Sequence, residues 1–410
     1  MSASSTRCCI AGGGPAGMML GLLLARAGVD VVVLEKHADF LRDFRGDTIH
    51  PSTLEILYEL GMLEDFLKRP HQELRTLGGR FGDVGFEFAD MRHLPTHCKF
   101  VALMPQWDFL DFIAAQAKRL PGFRLIMQAE VTDLIEEGGV IAGVRATTPD
   151  GALSVRAGLV VGADGRHSTV RARAGLQGID LGAPIDVLWM RLSRHAGDPA
   201  QSLGQIEAGL MLVTLDRGDY WQCAFVIAKG GFDAIRENGL PAFRERIATV
   251  APYLADRVDE LADWDHIKLL TVSVDRLRRW YRPGLLCIGD AAHAMSPVGG
   301  VGINLAIQDA VATANILTPS LLRGMPTPDE LSRVQRRREL PTRVTQRAQV
   351  FVQDRVFRGV LGSTRTPTLP LALRLLRRFP RLRRLPARLV GMGIRPEHVV
   401  NRSPRPARNP

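Results

Sequence analysis

Gly12, Gly14 and Gly17 lie between a short apolar run closed by Cys8, Cys9 and Ile10 and a helical run from Met18 to Ala27. The spacing is GxGxxG at a strand-to-helix turn, and the chemistry it serves is phosphate binding. The first glycine permits the tight turn, the second lets the backbone approach a pyrophosphate, and the third lets the helix sit close on the strand. The helix N-terminus then offers unpaired N–H groups and the positive end of its dipole to the anion. A second strand, Asp30 to Leu34, ends in Glu35, an acid about 20 residues past the turn, where a carboxylate accepts hydroxyls of an unphosphorylated ribose. GxGxxG alone is weak in a chain with 40 Gly. Here strand, turn, helix, strand and terminal acid agree, and the pattern reads as a dinucleotide site.

A second cluster runs from Gly289 to Ala310, GDAAHAMSPVGGVGINLAIQDA. Asp290 closes a buried strand and can accept hydrogen bonds from polyol hydroxyls. Gly299, Gly300 and Gly302 open a helix whose free N–H groups face an anion or a carbonyl-rich ring, and Pro297 stiffens the approach. An ordinary strand–loop–helix connection would explain any one of these residues. His293 reads as a loop-stabilising residue in preference to a catalytic base.

The elements that must position these groups follow from periodicity. Pro51 to Lys68 has helical spacing interrupted by Gly61, residues 74–90 read as short strands between glycine turns, and Trp107 to Leu120 reads as a helix. Phe123 to Val161 reads as a β-meander whose last strand runs into Ala163, Asp164, Gly165 and Arg166. Residues 185–228 alternate as strands, 233–262 look helical, and IKLLTVSV and GLLCIGD form a final strand pair. A second apolar strand ending in Gly-Asp so far downstream implies a dinucleotide domain split by a β-rich insertion. The expected division is 1–178 for the first part, with 73–98 lending strands to the insertion, 179–275 for the insertion, 276–345 for the second part, and 346–410 for a helical, Arg-rich end.

A chain of 410 residues with 46% hydrophobic and 23% charged residues is ordinary for two or three soluble domains. No apolar run of about eighteen residues appears, so a spanning helix is not expected. The N-terminus MSASSTR lacks the features of a secretory signal, which points to the cytosol. Five scattered Cys without a CxxC pair argue for reduced thiols and no zinc site. The net charge of +10 is a property of one end: residues 365–410 hold twelve Arg and one Glu, a net +11, leaving residues 1–364 at −1. A nucleic-acid role read from the charge therefore loses its support.

Taken together, three motifs resemble the single-component flavoprotein monooxygenases of the para-hydroxybenzoate hydroxylase type, the FAD-dependent aromatic hydroxylases. The extended fingerprint GxGxxGxxxGxxLA is met by Gly12, Gly14, Gly17, Gly21, Leu24 and Ala25. The DG motif is met by Val161 to Arg166 followed by Ser168, Val170 and Arg171, and the GD motif by Gly289 to His293 with Pro297, Gly299, Gly300, Gly302 and Asn304. Order and spacing agree to about residue 345. The third motif departs mildly, with Ser296-Pro297-Val298 where many relatives have two consecutive prolines.

The resemblance implies an α/β fold with α+β elements: a Rossmann-like FAD-binding domain, an inserted β-sheet substrate domain and a helical C-terminal region. It implies FAD held by Gly12, Gly14, Pro15, Ala16 and Gly17, with Glu35 on the adenosine ribose and Lys36 and Val131 among the cofactor-binding residues. Arg45 and Gln106 match cofactor-contacting positions, and Asp164 and Gly165 belong to a motif linked to both FAD and the nicotinamide. Asp290 lies near the ribityl chain and pyrophosphate, with Pro297, Gly300, Gly302, Ile303 and Asn304 beyond it. Pro297 and Arg45 are also the residues placed at the reacting end. Asp164 could equally hold its own turn together.

The implied reaction is hydroxylation of an aromatic, phenolic or polyketide-like substrate with NAD(P)H and O₂ through a flavin C4a-hydroperoxide. With no second GxGxxG, the nicotinamide would bind transiently. A related isoprenoid-type reductase, or a membrane-surface flavoprotein without oxygenase activity, are the alternatives; no Trp begins the WxWxIP motif of a halogenase. Trp189, Met190, Arg191, Tyr220, Trp221 and Gln222 are the candidate pocket residues on the inserted sheet, and about half of them should point away from the pocket. At the end of the chain Leu371, Leu375, Phe379, Leu382 and Leu389 fall roughly on one face and Arg374, Arg377, Arg378, Arg381, Arg384 and Arg388 on another, with Pro380 and Pro386 splitting the helix. Such a face could contact the inner surface of a membrane, or the leucines could pack on the FAD domain.

Overall fold

Unbroken apolar runs mark strands covered on both faces, whereas alternation marks strands with one buried face. Cys8 to Ala11 and Val31 to Leu34 are of the first kind, and in the computed structural model all eight are buried. The structure describes residues 2–41, 48–199, 203–363 and 368–400. The strand Ser2–Ala11 pairs in parallel with Val31–Leu34 on one side and with Gly151–Gly162 on the other. Phe123–Ile126 extends the sheet in parallel beyond Val31–Leu34, and Leu285–Cys287 extends it in parallel beyond Gly151–Gly162. Helices Pro15–Arg26, Gln106–Ala117 and Gly302–Arg323 pack together against it. This is the Rossmann-like strand–turn–helix–strand arrangement the glycine turn requires.

The expected meander is only partly present. Glu130–Glu137, Val140–Thr148 and Gly151–Gly162 are consecutive antiparallel strands, but Phe123–Ile126 belongs to the parallel part of the sheet. Its four residues are too short and too apolar to show which neighbour they choose.

A second sheet has the order Lys268–Leu270, Ile185–Ser193, Tyr220–Ala228, Leu210–Asp216, Leu203–Glu207, Thr76–Phe81, Val84–Asp90. Strands from residues 76–90 thus join those of 185–228 through one parallel pairing. The expected pairing of IKLLTVSV with GLLCIGD is corrected: Lys268–Leu270 pairs with Ile185–Ser193, while Leu285–Cys287 lies in the first sheet. One face of the second sheet packs on helices Phe232–Glu237 and Leu240–Val250 through Phe225, Phe243 and Ile247.

The long helix Pro328–Val352 begins at a capping box of Thr327 and Glu330. Beyond it lie the helix Leu371–Arg378, a 3₁₀ turn Pro380–Arg383 and the helix Arg384–Gly391. Pro380 breaks the run as expected. Pro386 does not: it sits in the first turn of the last helix, where a missing N–H removes no bond. The chain then returns to the first domain. Glu397 accepts from Arg337 at 2.7 Å and Arg338 at 3.3 Å, and the Val399 N–H donates to Glu59 at 2.7 Å. All five cysteines are buried and free, and among the described residues no helix is long and apolar enough to cross a membrane.

Candidate functional site

The register of the first sheet lines up Leu34, Ala11, Gly162 and Cys287 as one row across four parallel strands. The ladder continues one step further. Gly12 donates to the Leu34 carbonyl at 2.8 Å, Ala163 to that of Ala11 at 2.8 Å, and Ile288 to that of Gly162 at 2.9 Å. Glu35, Gly12, the Asp164 turn and Gly289-Asp290 therefore leave the sheet side by side at its carboxyl edge, where open α/β sheets bind ligands.

Within the first turn the glycines differ. Gly12 has φ +106°, and a Cβ there would come within 2.3 Å of the Ala163 carbonyl oxygen; one on Gly17 would come within 2.0 Å of the Gly12 oxygen. Gly14 is the exception, since a Cβ there would meet no atom within 4 Å. The one glycine assigned to a pyrophosphate is the one that faces open space, so the turn fits the cofactor the sequence implies. Glu35 is buried, and its two oxygens accept the N–H groups of Gly13 at 2.8 Å and His37 at 3.0 Å. A carboxylate has about four acceptor sites, so ribose hydroxyls can share it. Lys36 is exposed beside it. Val131 is buried on the strand that follows Ala129, whose N–H donates to the Glu35 carbonyl at 2.9 Å. Gln106 opens the helix Gln106–Ala117 just after Val101–Leu103, which pairs with Thr48–Ile49. Arg45 lies outside the described residues.

Asp164 is tied into its own turn. Its oxygens accept the Ser168 hydroxyl at 2.5 Å and the Val170 N–H at 3.0 Å, and Ser168 caps the short helix Thr169–Arg173. Burial raises the Asp164 pKa despite these donors. Gly165 follows at φ +85°.

The second glycine loop is held from behind. Asp309 is fully buried on the Gly302–Arg323 helix; it accepts the Gly289 N–H at 3.1 Å, contacts His293 Nε2 at 2.5 Å and accepts Arg338 Nε at 2.9 Å. Burial pushes the Asp309 carboxyl up, but His293 and Arg338 outweigh it and hold the group below the ordinary carboxylate range. His293 is thus a tether for the loop that carries Asp290, which is partly exposed. Gln346 and Gln349 on the long helix, and Gln353 just past its end, then fasten the segment around Pro297. Gln346 donates to the carbonyls of Asp275 at 2.7 Å and Ala294 at 3.0 Å, Gln349 to those of Ser296 at 2.9 Å and Val298 at 2.8 Å, and Gln353 to the Ser296 hydroxyl.

Gly300, at φ +62°, is crossed by Thr48, whose hydroxyl donates to the Gly300 carbonyl at 2.8 Å. His50 Nε2 lies 3.1 Å from the same oxygen. Burial lowers the His50 pKa to about 4, so the ring is neutral and must carry its proton on Nε2 to donate there. Gly302, Ile303 and Asn304 form the first turn of the next helix, where N–H groups have no partner in the helix. The Asn304 amide oxygen accepts from Ser52 at 2.6 Å and Thr53 at 3.0 Å. Asp309, Arg338, His50 and the glutamines were missed from the sequence. The i, i+3, i+7 recurrence of Gln346, Gln349 and Gln353 on one helix face was the legible signal.

The substrate candidates divide by face. Met190 pairs with Cys223, and both pack with Trp221 toward the helices of the second sheet. Met190 and Trp221 are core residues, not pocket residues; Trp221 donates to Asp198 at 2.7 Å. Trp189, Arg191, Tyr220 and Gln222 share the other face, with the Arg191 guanidinium over the Tyr220 ring at 4.9 Å and Gln222 accepting from Arg217 at 3.2 Å. Ile185, Met211 and Val226 are on that same face, and Val298 of the Pro297 loop packs against their cluster together with Phe357 and Val360. This face looks toward the second glycine loop.

Comparison with known proteins agrees with this geometry. The family model of the FAD binding domain matches residues 5–348. The chain is 36% identical over 385 residues to the 6-methylpretetramide 4-monooxygenase of Streptomyces rimosus, covering 92% of this chain and 90% of that protein. It is 32% identical over 320 residues to a dialkyldecalin synthase of Streptomyces rugosporus, 74% of this chain and 63% of that longer protein. The fold matches the OxyS anhydrotetracycline hydroxylase of Streptomyces rimosus with a TM-score of 0.72 at 24% identity, over 94% of this chain and 76% of that one.

Proposed function

The chain belongs to the FAD-binding-domain family of FAD-dependent aromatic hydroxylases, and from that premise we propose a monooxygenase of fused-ring, phenolic polyketide substrates that draws its electrons from NAD(P)H. The class of reaction, FAD-dependent hydroxylation of an aromatic or polyketide substrate, follows from the relatives. The observation that carries the finer reading is the packing of Val298, from the Pro297 loop, on Ile185, Met211 and Val226 of the sheet face that also bears Trp189, Arg191 and Tyr220.

FAD supplies the redox chemistry when bound: it accepts a hydride and activates O₂. The chain's own residues bind and exclude. The open backbone at Gly14 and the helix start behind it would hold the pyrophosphate, Glu35 a ribose hydroxyl, and Asp290 the polyol. The first-turn N–H groups at Gly302 to Asn304 would face the carbonyl-rich ring. Trp189 and the stacked Arg191–Tyr220 pair offer a flat aromatic and cationic wall to a planar, electron-rich ring system. The apolar cluster around Val298 keeps water from that end of the site. With no second GxGxxG, a nicotinamide must visit and leave.

The test is turnover of FAD-loaded protein with NADH or NADPH and a panel of fused-ring phenols under ¹⁸O₂. The expected result is slow NAD(P)H oxidation alone, faster oxidation with a matching phenol, and a product carrying one labelled oxygen. The similarity to a dialkyldecalin synthase favours a second reading, in which the scaffold closes a ring without redox change; an isomerised, unlabelled product would establish it. Saturation of a carbon–carbon double bond without label would establish a reductase.

A further inference from the structure

The end of the chain bears three parallel stripes. Leu371, Leu375, Phe379, Leu382, Leu385 and Leu389 recur every three or four residues and are 41–71% exposed. Six large apolar side chains in one exposed row are unusual on a soluble surface. Interspersed with them, Arg374, Arg377, Arg378, Arg381, Arg384 and Arg388 are all exposed as well. Among the described residues none of these six arginines faces a carboxylate, and residues 365–391 contain no acid at all. The third stripe points inward: Ala387 is buried, Gly391 lies against Leu94 and Met91, and Arg383 pairs with Glu87. The arm is therefore fixed to the body along one side while its leucines and arginines face outward together. Packing of the leucines on the FAD domain, the bland expectation from the sequence, is not what the structure has.

We propose that this arm docks the enzyme on an anionic phospholipid surface, lying in the interface with its leucine row in the acyl boundary and its arginines among the head groups. Three physical points select that occupant. A second copy of the chain would set the same basic stripe against itself in a two-fold contact. A nucleic acid has no use for six exposed apolar side chains. A lipid surface satisfies both stripes, which run on through the two helices and the 3₁₀ turn between them. The charge is also local, since residues 1–364 sum to −1, so attraction is directed through the arm. The arm's last turn seats Val390 on Met295, Val301 and Leu305. A bilayer beneath the arm thus lies next to the loop that carries Pro297. The proposal stands whether or not the substrate reading above holds.

The experiment is co-sedimentation of the full-length, FAD-loaded protein with vesicles of phosphatidylcholine alone or mixed equally with phosphatidylglycerol, at low and high salt. Binding is expected to the mixed vesicles and not to phosphatidylcholine alone, weakening with salt. The joint variant Leu371→Ser, Leu375→Ser, Leu385→Ser, Leu389→Ser should lose binding at either salt. Arg377→Gln and Arg381→Gln, both exposed, should each weaken binding about five-fold at low salt. Flavin content checks the fold of each variant, and the arginine variants decide the question if the leucine variant fails to fold. No binding to the mixed vesicles, or wild-type binding by folded variants of both kinds, overturns the proposal. Equally strong, leucine-dependent capture by soluble polyglutamate would put an acidic protein in the place of lipid.

Discussion

Gly12 to Gly17 and Gly289 to Gly302 both meet at one sheet edge, close enough that a Cβ on Gly289 would lie 3.1 Å from that of Ala16, yet they are held by different means. The first turn needs no side chain from afar except Glu35: its shape is set by backbone packed on backbone, at Gly12 against Ala163 and at Gly17 against Gly12. The second loop is fixed mainly by polar side chains from elsewhere in the chain, Thr48 and His50 before it and Asp309, Arg338, Gln346, Gln349 and Gln353 after it. A turn locked by backbone on backbone takes its shape as the strands beside it pair. A loop locked by a later helix takes its shape only when the whole domain closes, and it can be loosened by changes far from the cofactor.

The largest effect should separate glycines within the first turn. Gly17→Val drives a side chain into backbone at 2.0 Å and should cost about 3 kcal/mol or more, read as loss of soluble folded protein. A Cβ added at Gly14 meets nothing within 4 Å, and Gly14→Val should leave the apoprotein's melting temperature within a few degrees while FAD affinity falls at least roughly 100-fold, about 3 kcal/mol. Equal destabilisation by both variants would break the distinction between a structural and a cofactor-facing glycine.

Next comes the support of the second loop. Arg338→Met leaves the buried carboxylates of Asp309 and Glu397 short of a partner, at a cost of about 3–5 kcal/mol. Denaturant unfolding of the purified protein measures it. A loss below about 1 kcal/mol would mean that the loop is not held from that side.

The smallest effect is a pH dependence of stability at His50. Its folded pKa lies near 4 against an ordinary value of 6.5, so between those values the unfolded chain binds a proton that the folded chain refuses. Stability therefore rises with pH across that window and is flat above it. The shift corresponds to on the order of 3 kcal/mol. His50→Gln keeps an N–H donor for the Gly300 carbonyl and removes the titration. Its unfolding free energy should change less between pH 4 and 6.5 than that of the parent, and parallel profiles would show that His50 does not titrate there.

The sequence alone settled whatever neighbouring residues decide among themselves. GxGxxG specifies a turn because the positive φ at Gly12 and the packing of Gly17 on the Gly12 carbonyl are demands met within six residues, and apolar runs such as Val31 to Leu34 mark a strand covered on both faces. The two later motifs were legible for the same reason, although the sequence could not show that Leu34, Ala11, Gly162 and Cys287 form one row. Only the tertiary structure decided what depends on partners far along the chain. It placed Lys268–Leu270 and Leu285–Cys287 in different sheets, sent Trp221 to the core and Trp189 to the covering face, and turned Asp309, His293 and Arg338 into the brace of a loop. Strand choice, face and buried pairing are satisfied by contacts across scores to hundreds of residues. A partner so distant leaves no pattern in the local sequence, because any suitably placed apolar or charged side chain would satisfy it.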